Sequence, residues 1–387
     1  MLLLRNATVF APESRGQMDL LIGGEQILWM GASLSALPTA LGVTEVDLEG
    51  RVVIPGLVDG HAHLTGGGGE AGPNSRVPAP LLSQYTKAGV TTAVGVLGTD
   101  DVTRSTAELV VAARGLVADG LSAWCHTGGY HVPPVTLTGS VRGDIVHLDR
   151  VIGVGELALS DHRSSQPTLD DLLTVAAEAH VGGIMTGKAG VVHLHLGDGG
   201  RGLALVRQAL DTSEIPARVF NPTHVNRKRA LFDEAIALAR RGCVVDITSF
   251  HVAPEDDAWS AADALERFWA SGAPATHVTV SSDGGGCLPV FDADGRVVEM
   301  GVGHAGSLLD TLRELVARGH AWERILPAFT SNVAALLRLS AKGALRVGGD
   351  ADLVVLDAEH RVRDVMARGA WHVQGGMTVR RGTFETA

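Results

Sequence analysis

Two histidines one residue apart, His61 and His63 in the stretch VIPGLVDGHAHLTGGGGEAGP, set the first chemical constraint. Side chains alternate faces along a strand, so these two rings point the same way. Other apolar bursts close on residues of the same chemical kind: Glu156 in VIGVGELALSDHR, His195 in VVHLHLGD, His224 in FNPTHVNR and Asp283 in VTVSSDGGG. Four imidazoles and two carboxylates gathered at one mouth give nitrogen and oxygen donors with no thiolate, which suits Zn2+ or a similar borderline cation. Six ligands exceed what one tetrahedral ion takes and match two ions bridged by a carboxylate and a hydroxide. The expectation is a binuclear centre holding two divalent metal ions, zinc by donor type.

Those residues need strands to carry them. Between about 55 and 340, apolar bursts alternate with Ala/Leu-rich segments of helical spacing, as in TTAVGVLG before STAELVVAARGLVADG. Strands are predicted near 57–63, 91–97, 121–127, 151–157, 190–196, 217–223, 243–249 and 277–283. Eight βα units in this length fit a (β/α)8 TIM-like barrel, whose sites assemble at the C-terminal ends of the strands. The first 54 residues and the last 45 or so instead show short strands with Gly turns. The predicted architecture is therefore a catalytic barrel over 55–342 with a small β-sandwich domain formed by both chain ends, 1–54 and 343–387.

Bulk properties exclude several classes. With 387 residues, 45% hydrophobic, 19% charged and 49 glycines, the chain reads as a globular α/β enzyme. A net charge of −11 with only four lysines argues against nucleic acid as a partner. No apolar run reaches the roughly 18 residues of a membrane span, and MLLLRNATVF is too short and too soon charged for a signal peptide. Three scattered cysteines, Cys125, Cys243 and Cys287, fit a reducing compartment, and the expectation is a cytoplasmic protein. No strand is followed by a dinucleotide fingerprint.

The DGHAH stretch, an acid late in strand four, single histidines on strands five and six and an Asp on strand eight resemble the amidohydrolase superfamily. Within it, GGGGEAGP, GGYHVP, SDHRS and PTHVNR are similar to the isoaspartyl (β-aspartyl) dipeptidases over essentially the whole chain. The resemblance implies that His61, His63 and Asp283 hold one metal, His195 and His224 the other, and Glu156 bridges them. This departs from the carboxylated lysine of the best-known members. Glu156 is shorter, so the metals must sit nearer that strand or the backbone must bulge inward at GVGE. Lys188 would lie at the opposite, N-terminal rim.

Two cations sharing a water give hydroxide near neutral pH and polarise a carbonyl, so amide hydrolysis is expected. Asp283 is placed as general acid and base, and Tyr130 as donor to the developing oxyanion. A β-aspartyl dipeptide carries one ammonium and two carboxylates, which calls for one acid and about two arginine forks. Glu70 is expected to meet the ammonium, Arg163 and Arg227 the carboxylates, Thr99 to add a hydroxyl and Gly68 in the Gly run to bring backbone amides close. Cys287 stands where a serine contacting substrate is expected, and a thiol is the weaker partner. His193, one layer deeper, reads as a core or supporting histidine; His162 either orients a ligand or packs a loop; His126 and His131 read as loop residues. The resemblance also implies a homo-oligomer, up to an octamer built from dimers. Rival expectations are a dihydroorotase-, hydantoinase- or acylase-like enzyme on the same scaffold and an inactive structural homologue.

Overall fold

The computed structural model describes residues 1–291 and 294–386. Apolar strand runs form the centre, with β1 Leu57–Ala62, β2 Val90–Gly95, β3 Ser122–Thr127, β4 Val151–Leu159, β5 Val191–Leu196 and β6 Phe220–Thr223 paired in chain order as one parallel sheet. β7 Val245–Thr248 and β8 Val278–Ser281 pair with each other as a second parallel ladder. Every residue of β2, β4 and β5 is buried, as expected of parallel strands covered on both faces. Helices such as Thr106–Ala118, Leu169–Thr186 and Arg229–Arg240 follow these strands and cover them. Leu109, Leu172 and Phe232 from those helices join Val192 and Leu194 in the main core.

The predicted barrel is thus found as a six-strand and a two-strand ladder, not as one unbroken ladder of eight. Side chains and loop backbone span the seams. Between β6 and β7, Thr223 donates to Asp246 at 2.7 Å and Asn221 Nδ2 to the Val244 carbonyl at 2.7 Å. Between β8 and β1, the Asp283 amide donates to the His61 carbonyl at 3.1 Å and the His63 amide to the Gly284 carbonyl at 2.8 Å. β6 is four residues long, and Pro222 within it has no N–H, so little backbone is left there for a ladder. The strand expected over 217–223 accordingly starts late, after a 3-10 turn over Ala217–Val219.

Both chain ends do combine, but into one nine-stranded mixed sheet instead of a two-sheet sandwich. Leu2–Phe10 pairs in parallel with Val52–Pro55, which pairs antiparallel with Leu353–Leu356 from the far end of the chain. Successive residues on these strands face opposite ways. Val53, Leu353 and Val355 enter a local core with Leu4, Leu20 and Met366, while Ile54, Val354 and Leu356 enter the main core. A sheet buried on both faces produces the same short apolar bursts as a sandwich, which is why the sequence pattern did not separate them. No helix among the described residues is long and apolar enough to cross a membrane.

Candidate metal centre

His61 lies at the end of β1 and His63 just after it; Glu156 lies within β4, His195 near the end of β5, His224 just after β6 and Asp283 just after β8. The structure brings all six together. They are buried, with Asp283 at 7% exposure the most open. Three overlapping ligand groups, His61/His63/Glu156, His61/His224/Asp283 and Glu156/His195/His224, each have donor atoms within 4.8 Å of one another.

Glu156 sits between two histidine pairs. Its Oε1 lies 3.7 Å from His61 Nε2 and 3.6 Å from His63 Nε2, while its Oε2 lies 3.0 Å from His195 Nδ1 and 3.4 Å from His224 Nε2. Asp283 Oδ1 closes the first group at 3.3 Å from His61 Nε2 and 3.0 Å from His63 Nε2.

Of the two accommodations open to the shorter Glu156, a bulge at GVGE is present. Along the β4/β5 ladder, Val154 pairs with Val192 but Leu157 with Leu194, so β4 holds one extra residue at Gly155–Glu156. Gly155 has φ +141°, and a Cβ there would stand 2.4 Å from the His193 carbonyl oxygen. Gly155→Ala is therefore expected to destabilise the fold by about 2–4 kcal/mol from backbone strain and overlap together, and to loosen Glu156. Denaturant unfolding with parallel metal analysis checks this, and a variant with unchanged midpoint and metal content would refute it.

The electrostatics call for a cation. Burial alone would raise the Glu156 carboxyl, but the His61 and His195 rings outweigh it and hold it well below the usual range. Burial likewise pushes Asp283 up, and the adjacent His61 and His63 rings pull it down further. Burial lowers His224 to about 3, leaving its ring neutral. Burial also lowers His61, yet Glu156 and Asp283 raise it overall, so a positive charge is favoured there. His61 Nε2 and Asp283 Oδ1 are buried without a hydrogen-bond partner among the described residues. A neutral His224 ring, two ionised carboxylates and two unpartnered ligand atoms fit a divalent ion bound by nitrogen and oxygen.

One cavity of about 420 Å3 opens over the cluster, and its wall includes Gly68, Glu70, Thr99, Tyr130, Arg163, Arg227 and Cys287. Glu70 accepts from Thr99 at 3.2 Å and from Arg163 at 3.3 Å through Oε1, while its buried Oε2 has no partner among the described residues. Arg227 Nη1 donates to the Leu196 carbonyl at 2.6 Å, and its Nε lies 3.1 Å from Asp198. The Tyr130 hydroxyl lies 2.8 Å from His195 Nδ1, and burial keeps it protonated, well above the usual tyrosine range. Burial raises the Cys287 thiol to about 11.

Several supporting residues escaped the sequence reading. Asp161 grips Arg163 through both oxygens, at 3.0 and 2.8 Å, and also meets His195 Nε2 at 3.1 Å. Burial raises its carboxyl, but His195 and Arg163 outweigh that and leave it strongly acidic. An acid two residues before an arginine in the loop after a strand was its only signal. Arg104, 1% exposed, reaches the carbonyls of Thr65, Gly67, Gly68 and Val77 and braces the glycine run. His193 is not itself in the ligand cluster but touches one of its members, with its Nε2 2.8 Å from His61 Nδ1. His126, read as a loop residue, lies within β3 with its ring stacked on His193 at 5.3 Å between centroids, because the strand runs on to Thr127. His131 remains in a loop, on Asp101 at 2.8 Å. His162 is exposed and outside the cluster. Lys188 donates to the carbonyls of Ile145 and Leu148 at 2.6 Å, away from the cluster.

Models of the amidohydrolase family match residues 44–97 and 162–374. A crystal structure of β-aspartyl dipeptidase from Fervidobacterium islandicum in complex with β-Asp-Leu dipeptide is 39% identical, with TM-score 0.91 over 97% of this chain and 98% of that one. D-Hydantoinase from a Thermus species shares the fold at 17% identity, TM-score 0.67 over 99% of this chain and 98% of that one. An imidazolonepropionase from a Ruegeria species is 31% identical over 148 residues, which is 36% of this chain, and the match spans 36% of that protein's length. The chain belongs to the amidohydrolase family and, within it, to the β-aspartyl dipeptidase group.

Proposed function

We propose that this protein is a metal-dependent hydrolase that cleaves the isopeptide bond of β-aspartyl dipeptides. The observation that carries this reading is the cavity itself, in which Glu70, Arg163 and Arg227 line the same wall as the histidine and carboxylate cluster. His61, His63 and Asp283 would hold one divalent ion and His195 and His224 a second, with Glu156 between them. The donor set favours zinc. Bound there, the ions supply Lewis acidity to the scissile carbonyl and acidify a shared water.

The chain's own side chains supply the rest. Glu70 presents its unpartnered Oε2 to the α-ammonium of the aspartyl residue, while Arg163 and Arg227 donate to the carboxylates. The Glu70–Arg163 pair, 3.3 Å apart, imitates that zwitterion until substrate divides it. Asp161 holds the Arg163 fork in place, so little entropy is lost when it meets a carboxylate. Tyr130, kept protonated by burial, donates to the carbonyl oxygen as negative charge builds there. Asp283 takes up the proton of the attacking nucleophile and returns it to the leaving nitrogen. Cys287 lines the wall with a protonated thiol, a weaker donor than a serine hydroxyl.

The same reading divides the chain into a catalytic barrel over 55–342 and a small β domain from 1–54 and 343–387. It also makes the protein a cytoplasmic homo-oligomer. Three cysteines without a disulfide support a reducing compartment.

A substrate panel tests the activity. Purified protein is expected to hydrolyse β-Asp-Leu with kcat/KM at least about 100-fold above that for dihydroorotate or N-acetyl amino acids, which lack the ammonium and leave Glu70 unpaired. Faster turnover of either competitor would overturn the assignment.

A further inference from the structure

The His61 ring is held from behind by a chain of forced donors. Its Nδ1 lies 2.8 Å from Nε2 of His193, and the His193 Nδ1 lies 2.6 Å from Oδ1 of Asn221. The Asn221 amide cannot turn over freely, because its Nδ2 donates to the Val244 carbonyl at 2.7 Å. Its oxygen therefore faces His193. A carbonyl oxygen only accepts, so His193 carries a hydrogen on Nδ1.

His193 is 2% exposed, between His61 on one side and the stacked His126 ring on the other, and no carboxylate among the described residues bonds it to favour a second proton. A neutral ring with hydrogen on Nδ1 has a bare Nε2, which can only accept. The hydrogen on that contact must then belong to His61 Nδ1. In the neutral, ligating form of His61 that leaves Nε2 as a lone pair, aimed at the space between Asp283 Oδ1 at 3.3 Å and Glu156 Oε1 at 3.7 Å.

We propose that His193 and Asn221 are positioning residues that set the tautomer of His61, so that its Nε2 faces the metal cluster unprotonated. The inference rests on reading His61 as a ligand, and it adds a cause for that role. A hydrogen on Nε2 would block coordination, and the relay places the single hydrogen of the neutral ring on the other nitrogen. Metal-binding histidines are commonly oriented through their second nitrogen. Here the orienting group is another imidazole, itself oriented by an amide tied to the strand β6–β7 seam.

Zinc binding by the full-length protein, measured by competition with chelators of graded strength, separates this from simple packing. His193→Phe keeps the ring's bulk but loses the acceptor. It is expected to weaken one of two zinc ions by about 10- to 100-fold and leave the other unchanged. His193→Gln can offer its amide oxygen in place of Nε2 and is expected to stay within about threefold of wild type. Equal affinity of both ions in His193→Phe, or equal losses in both variants, overturns the relay while leaving the metal reading intact. Wild-type protein that takes up no zinc overturns the metal reading itself. Should His193→Phe fail to fold, nitrogen-15 NMR of the wild-type imidazoles decides, with hydrogen expected on Nδ1 of both His61 and His193. Hydrogen on Nε2 of His193 overturns the proposal.

Discussion

Glu156→Gln is expected to lower kcat/KM for β-Asp-Leu by more than about 10^4-fold, equivalent to over about 5 kcal/mol of lost transition-state stabilisation. The two oxygens of Glu156 face different histidine pairs, at 3.6–3.7 Å on one side and 3.0–3.4 Å on the other. An amide removes the negative charge and turns one of those acceptors into an N–H donor facing imidazole lone pairs. Loss of activity should therefore be accompanied by loss of bound metal, read by elemental analysis of the same preparation. The side-chain carboxylate is intrinsic to the residue, so wild-type turnover should also be indifferent to added bicarbonate. A glutamine variant retaining a tenth of wild-type activity, or a wild type that needs bicarbonate, would remove Glu156 from the bridging role.

The second large effect is expected at Asp283. Asp283→Asn keeps an oxygen near His61 and His63 but cannot take up a proton in the same way. It should reduce kcat by about 10^2- to 10^4-fold with KM nearly unchanged. The near-isosteric side chain distinguishes proton transfer from metal holding, because metal content should survive better in this variant than in Glu156→Gln. A variant with normal kcat would mean that another group handles the proton. Complete metal loss would mean that Asp283 acts mainly as a ligand.

The two expectations differ in how visible they were from residues alone. His61 and His63 share a face by the period of a strand, and that inference needs no tertiary contact. Gly155 beside Glu156 offered a bulge, and the β4/β5 register carries one there. By contrast, Arg104 and the His193–Asn221 pair have their roles through partners far along the chain, and Asp161 meets His195 34 positions on. His193 and His61 are 132 positions apart, and Arg104 reaches carbonyls 27 to 39 positions away. Periodicity has a range of a few residues, so it predicts a side chain's face and not its partner. The chain ends show the same limit, since alternating apolar positions are equally satisfied by a sandwich and by the single nine-stranded sheet.

What the sequence determined by itself was chemical: which donor types recur at strand ends, that no thiolate joins them, and that an acid and two arginines follow close behind. Tertiary structure alone decided which oxygen of Glu156 meets which histidines, which nitrogen of His61 faces the cluster and which faces His193, and how the seams beside β6 and β1 are joined by side chains and loops. The reason is physical. Residue type sets the chemistry a group can perform, but hydrogen bonds and ligand geometry act over about 3 Å, and only the folded chain brings residues that are distant in sequence to that separation.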